Sequence, residues 1–167
     1  MHIEEVKLTK ENLIKIKEID NTFYTKENIS LDWYLERYTE KHSAILLLDK
    51  DEIVGYIISV PIKKELYDTI INGVIINDLQ INPQMFIDES EYYYIVSCVI
   101  LEKYRSKGYA SKMLEKILNK EKKYCTLTIT TNGYHLVERY MNFKVNVYKD
   151  INVFTRDNIK ENVWIST

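Results

Sequence analysis

Eight consecutive residues in the second half of the chain, Glu102-Lys103-Tyr104-Arg105-Ser106-Lys107-Gly108-Tyr109, bring together what a phosphate group needs from a protein. They join a near-continuous apolar run, Tyr92–Leu101, to a stretch in which Ala110, Met113, Leu114, Ile117 and Leu118 recur at helical spacing. A helix opening here directs unpaired N–H groups and a partial positive charge beyond its first turn. Such a terminus seats a phosphate or pyrophosphate. Gly108 lets the backbone turn sharply and approach a ligand without a Cβ, and Arg105 and Lys107 add formal charge at the same place. A basic connection in which Gly108 only eases a turn is the plainer reading of the same residues. Two other phosphate loops are excluded by spacing. A P-loop needs glycines five apart followed by Lys-Ser/Thr, and a dinucleotide fingerprint needs three glycines in six residues, whereas Gly108 stands alone.

Other chemistries have little to draw on. Cys98 and Cys125 lie in apolar, β-branched surroundings and read as thiols of buried strands. His2, His42 and His135 form no spacing that assembles a metal site with them, so no metal is expected. A formal net charge of -2 lacks the basic footprint of general nucleic-acid binding. The run Lys120–Lys123 contains Glu121 and reads as a solvated helix end. No stretch approaches the roughly 20 apolar residues of a spanning helix. Met1–Leu8 alternates and carries Glu4 and Glu5, unlike a signal peptide. A cytoplasmic protein without a membrane partner is expected.

The elements that must position the basic segment follow from periodicity. At 167 residues, 46% hydrophobic and 29% charged, with four Gly and two Pro, the chain fits one globular domain over 1–167. Ile3–Leu8 reads as a strand. Thr9 caps a helix bearing Leu13, Ile16, Ile19 and Phe23, and Ser30 caps a second with Leu31, Tyr34, Leu35 and Tyr38. Ala44–Asp49 and Ile53–Ile62 form an antiparallel hairpin. Leu66–Ile71 reads as a helical turn or two ended by Asn72-Gly73, Val74–Ile76 as a short strand, and Asn82-Pro83 as a turn. Then come strand Tyr92–Leu101, the helix from Ala110, strand Tyr124–Thr131, helix Tyr134–Met141, and a closing hairpin of Lys144–Lys149 with Ile151–Thr155. Strand–helix–strand units make parallel neighbours and hairpins antiparallel ones, so the sheet is mixed.

Ile100-Leu101-Glu102-Lys103-Tyr104-Arg105-Ser106-Lys107-Gly108-Tyr109-Ala110 resembles the signature of the GNAT superfamily of acetyl-CoA-dependent N-acetyltransferases. In that signature a strand ends in a small apolar residue, and Arg/Gln-x-x-Gly-x-Gly/Ala then opens a helix. Ile100, Arg105, Gly108 and Ala110 occupy its positions, while Glu102 stands where the family often has proline. The order of elements matches as well, from first strand to final hairpin. The resemblance implies a mixed α/β fold (α+β-like): a mostly antiparallel sheet of six to seven strands, about four flanking helices, and a splayed parallel pair made by Tyr92–Leu101 and Tyr124–Thr131.

The same resemblance implies transfer of an acetyl group from acetyl-CoA, a cosubstrate, to an amine of a small molecule or protein. The protein would act as monomer or homodimer. Backbone groups at Ile100 would pair with the pantetheine arm, and the amides of Ser106, Lys107, Gly108, Tyr109, Ala110 and Ser111 would hold the pyrophosphate. Asn132 falls where the family often places an asparagine on that arm; as a plain structural residue it would cap a helix. Backbone N–H groups near Val99–Leu101 would support the developing oxyanion. Asp78, Glu89 and Glu91 are the acids nearest the expected acceptor side, and none is singled out as base. The family's tyrosine acid is displaced: counting from Asn132 puts its slot at Arg139, and counting back from Phe143 puts it at Glu138. Tyr140 is the nearest tyrosine and Tyr134 the second candidate. Leu66–Glu91 is longer than the usual turn, and its apolar residues require cover. It is expected to pack over the open end of the sheet and form part of the acceptor pocket, with Asp78, Asp88 and Glu89 favouring cationic amines. The other open reading is a CoA-binding domain that acts as a sensor or interaction module.

Overall fold

The computed structural model describes residues 1–23, 29–118 and 121–157. Strands β1 (His2–Lys7), β2 (Ser43–Asp49), β3 (Glu52–Pro61), β4 (Tyr92–Ile100), β5 (Lys123–Thr128), β6 (Asn142–Tyr148) and β7 (Ile151–Arg156) form one sheet in the order β1-β2-β3-β4-β5-β7-β6. Only β4 and β5 run parallel; every other pairing is antiparallel. Among the described residues five helices cover it: α1 (Lys10–Phe23), α2 (Leu31–Arg37), α3 (Lys64–Ile71), α4 (Tyr109–Ile117) and α5 (Thr131–Val137).

Alternation along the strands divides the core between the two faces. Leu46, Tyr56, Ile58, Tyr94, Cys125 and Val153 pack under α1, α2 and α3. Ile45, Leu47, Ile57, Ile95, Tyr124 and Phe154 pack under α4 and α5. Central strands covered on both faces must be apolar at nearly every position, which is why Tyr92–Leu101 reads as a continuous run.

Helix starts follow their side-chain caps. Ser30 Oγ accepts from Trp33 N–H at 3.2 Å and Thr9 Oγ1 from Asn12 N–H at 3.3 Å. Thr130 Oγ1 accepts from Gly133 N–H at 3.0 Å, so α5 starts at Thr131 and β5 stops at Thr128 rather than running to Thr131. The cap is therefore Thr130, and Asn132 is exposed in the first helical turn. Helix α5 also ends earlier than its apolar pattern suggests, at Val137, and Tyr140 and Met141 follow in a turn bonded to the Val137 carbonyl.

Between β3 and β4, α3 is a full helix that buries Leu66, Tyr67 and Ile70 against β4, β5 and β7. It ends as expected at Gly73, whose φ of +71° is left-handed. Val74–Ile76 is not a strand; Ile76 and Asn77 donate their N–H groups to Gln80 Oε1 in a capped 3-10 turn instead. The segment returns to the start of β4 through an isolated bridge, Ile62 with Phe86. His42 closes that end. Its Nδ1 accepts from Thr39 N–H, which leaves the Nε2 proton to the Ile87 carbonyl at 2.8 Å, and burial pushes its pKa down. The imidazole is thus a neutral structural strut.

Candidate active site

The parallel pair β4–β5 is joined only over Tyr92–Ile95 and Lys123–Thr126. Beyond it Ser97–Ile100 stays paired to β3 and parts from β5, so the two strands enclose a wedge open at their C-terminal ends. The parting coincides with a bulge at Val96: Ile58 faces Ser97 and Ser59 faces Ile95, leaving Val96 unmatched. Cys98 shows the consequence. It sits in the middle of a central strand, paired to Ile57 of β3, yet its side chain is exposed where β5 no longer pairs on the other edge. The expectation of a buried Cys98 is therefore corrected; Cys125, inside the paired zone, is fully buried. Protein packed behind Cys98 pushes its thiol up to about 12, although the side chain is open to water on its other side.

At the mouth of the wedge the chain makes a short 3-10 turn, Glu102–Tyr104, and enters α4. Ser106 and Gly108 both have positive φ, +60° and +76°. Left-handed residues thus stand on either side of Lys107, the kind of backbone alternation from which anion-binding nests are built. The first helical bond is Lys112 N–H to Gly108 O at 3.2 Å, and among the described residues the amides of Tyr109, Ala110 and Ser111 have no acceptor. A Cβ built on Gly108 meets no other atom within 4 Å among the described residues, so the space beside this residue at the start of α4 is open. These features fit a pyrophosphate. Lys107 Nζ lies over the Tyr104 ring and donates to Lys103 O at 3.2 Å, keeping its charge at the loop. Arg105 turns the other way, its Nε donating to Ile100 O at 2.8 Å and its guanidinium resting on Phe23 of α1.

The two tyrosines occupy different environments. Tyr140 Oη donates to Glu115 Oε1 at 2.8 Å on the outer side of α4, beside Ser111; burial raises its pKa most, and Glu115 adds to the rise. Tyr134 packs edge-on against Phe154, with ring centroids 5.1 Å apart, and its hydroxyl has no partner among the described residues. The acids near β4 divide as sharply. Glu91 pairs with Lys123 at 3.3 Å, Asp88 pairs with Lys41 at 2.6 Å, and Glu89 adds to the rise that burial causes in the Tyr93 pKa, all at the start of β4 and away from the wedge mouth. Asp78 accepts from the hydroxyl of Tyr94.

One buried carboxylate escaped the sequence. Asp20, 6% exposed, accepts from the hydroxyls of Tyr34 and Tyr56, and Tyr56 Oη lies 3.0 Å from Ser97 Oγ, one residue past the bulge. Burial raises its pKa above the ordinary carboxylate range, against the opposing pull of the two hydroxyls. The charged residues Lys15, Lys17 and Glu18 precede it in sequence, and its partners come from two other elements. Among the described residues, no group of His, Cys, Asp and Glu could hold a metal, and no helix is long and apolar enough to cross a membrane.

No curated protein sequence matches the chain. Solved structures do, at identities that speak for the fold. An Arabidopsis thaliana protein in complex with the bisubstrate analogue CoA-Ac-MVNAL superposes with a TM-score of 0.59 at 15% identity, covering 93% of this chain and 99% of that one. The diaminobutyrate acetyltransferase EctA of Paenibacillus lautus, in complex with L-2,4-diaminobutyric acid and coenzyme A, gives 0.57 at 13%, covering 92% and 93%. The GphF GNAT-like decarboxylase in complex with isobutyryl-CoA gives 0.68 at 11%, covering 93% and 98%. The sequence model of the Acetyltransferase (GNAT) family matches residues 13–143, a span that runs from α1 through the wedge to the first residues of β6. The chain belongs to the GNAT family of acetyltransferases.

Proposed function

We propose that this protein is an N-acetyltransferase that moves the acetyl group of acetyl-CoA directly to a primary amine of a small molecule or protein. The observation that carries the reading is the wedge between β4 and β5, with the free amides of Tyr109–Ser111 and the open space beside Gly108 at its mouth. Two structures of this fold bind CoA or a CoA conjugate together with an amine compound or peptide portion, which supports the same cosubstrate and acceptor class here.

Ile100 and the exposed edge of β4 hold the pantetheine arm, with Asn132 across from them on α5. The amides of Ser106–Ser111 hold the pyrophosphate, and Arg105 fixes the strand end through Ile100 O. Holding thioester and amine in one cleft supplies much of the acceleration. The departing thiolate takes a proton from the hydroxyl of Tyr134 or Tyr140 and leaves as the thiol. The Tyr140 hydroxyl is held by Glu115 and that of Tyr134 is not, so Tyr134→Phe should cost the greater rate. That engagement of Tyr140 favours the second reading, a CoA-binding sensor or interaction module. Incubation with acetyl-CoA and an amine panel, read by thiol release and product mass, decides between them. Acceptor-dependent thiol release supports transfer; CoA binding with no acceptor-dependent release overturns it.

A further inference from the structure

Asp20 is a carboxylate on the buried face of α1, and among the described residues its partners are hydroxyls rather than a cation. Each of its oxygens accepts one phenol: Oδ2 from Tyr34 and Oδ1 from Tyr56. Because Tyr56 spends its proton on Asp20, its oxygen must accept from Ser97, which lies at 3.0 Å. The Ser97 lone pairs are then left facing away from Tyr56. Ser97 is half-buried and sits one residue beyond the bulge, where β4 leaves β5. The titratable groups that face this cluster are Tyr34 from α2, Tyr38 just past its end and Tyr56 from β3, with Arg37 and Asp78 reaching it through Tyr38. A buried carboxylate without a charge partner is a poor structural device, since an amide or an apolar group fills such a place at lower cost. Its value lies in accepting a proton.

We propose that Ser97, Tyr56 and Asp20 form a relay that removes the proton of the acceptor ammonium, with Ser97 as the catalytic residue that touches the amine and Tyr56 and Asp20 as positioning residues behind it. This rests on the N-acetyltransferase reading. An N–H bond of the ammonium breaks as an O–H bond forms at Ser97 Oγ. The original Ser97 proton passes to Tyr56 Oη, and the Tyr56 proton passes to Asp20 Oδ1. The nitrogen keeps its electron pair for the acetyl carbon, both hydroxyls end neutral, and one proton has moved from ammonium to carboxylate. Tyr34 holds the other carboxylate oxygen and keeps Oδ1 aimed at Tyr56. The raised pKa of Asp20 suits it to take a proton that an exposed aspartate would return at once.

The test is the pH profile of kcat/KM for an amine the wild type acetylates, in Asp20→Asn and Ser97→Ala, with CoA affinity measured by calorimetry. Both variants should lose about a hundredfold or more at pH 7. Each should then gain about tenfold per pH unit and approach wild type near the amine's own pKa, where the free base needs no relay. CoA affinity should not change. If Asp20→Asn fails to fold, Ser97→Ala carries the same test from the cleft side. A loss by one constant factor at every pH, or no loss, overturns the relay and leaves acetyl transfer standing. A wild type that binds acetyl-CoA and acetylates no amine overturns both.

Discussion

Arg105 bonds back to the strand it follows: its Nε donates to the carbonyl of Ile100 at 2.8 Å, and its guanidinium lies 4.9 Å from the ring centre of Phe23. The residue that resemblance assigns to the phosphate loop thus ties together the end of β4, the loop and the end of α1. A lysine cannot reproduce this, because it has no planar donor fork to bond and stack at once.

Arg105→Ala and Arg105→Lys should therefore behave alike. Each should lose about 1–2 kcal/mol of stability, a charge-assisted hydrogen bond reduced by exposure, and each should weaken CoA binding by freeing the strand end. Chemical denaturation and calorimetry check this. A lysine variant with wild-type stability and affinity would show that only the charge matters.

At Gly108 backbone strain and ligand clearance can be separated. The φ of +76° costs a residue with a Cβ about 1–2 kcal/mol, less for asparagine. Among the described residues no other atom lies within 4 Å of the added Cβ, so any steric effect beyond that strain falls on the ligand. Gly108→Asn should stay folded with small loss and bind CoA at least tenfold more weakly, and Gly108→Val should lose both. Unchanged CoA affinity in folded Gly108→Asn would mean that the ligand does not use this space.

Much of this site could be read in the chain because its signals are local. The run Tyr92–Leu101, the glycine at a helix start and the apolar spacing from Ala110 each lie within a dozen residues, and the structure keeps them in that order. What escaped depends on distant partners. Asp20 meets Tyr34 and Tyr56 only after α1, α2 and β3 have packed. Cys98 reads as buried because a central strand normally has neighbours on both edges, and nothing local announces that β5 turns away after Thr126. Helix α3 lacks a side-chain cap at Lys63, so its start carries no sequence mark, and burial of Leu66, Tyr67 and Ile70 sustains it instead.

That burial makes the Leu66–Glu91 segment part of the core. Ile70→Ala should cost about 2–5 kcal/mol, since a fully buried side chain leaves a cavity. The end of α3 also reaches the wedge level: Gly73 abuts Val145 and Val147, and Val145 pairs with Val153, which pairs with Leu127, one residue beyond the last β4–β5 contact. The acids Asp88 and Glu89 lie at the other end, so of the three acids expected to favour cationic amines only Asp78 is left as a candidate. Val74 is 66% exposed beside Gly73. Val74→Ser should leave stability within about 0.5 kcal/mol while altering KM across the amine panel at constant CoA affinity. Identical kinetics would place the segment outside the acceptor pocket.

Cys98 reports directly on the wedge. Its thiol is reachable by water, yet its pKa is pushed up by the protein behind it, so at neutral pH it holds little thiolate. Only the thiolate reacts with an alkylating agent. Modification of Cys98 by iodoacetamide should therefore be slow at pH 7 and rise about tenfold per pH unit through pH 8 to 10, without the plateau near pH 8.5 that an ordinary thiol shows. Cys125, buried between paired strands, should stay unmodified while the protein is folded. Saturating CoA should slow Cys98 further, because a pantetheine arm beside β4 covers the same edge. Peptide mass spectrometry after timed labelling reads both sites at once. Equal labelling of the two cysteines would mean that the fold opens globally, and labelling of Cys98 indifferent to CoA would remove the ligand from this stretch of β4.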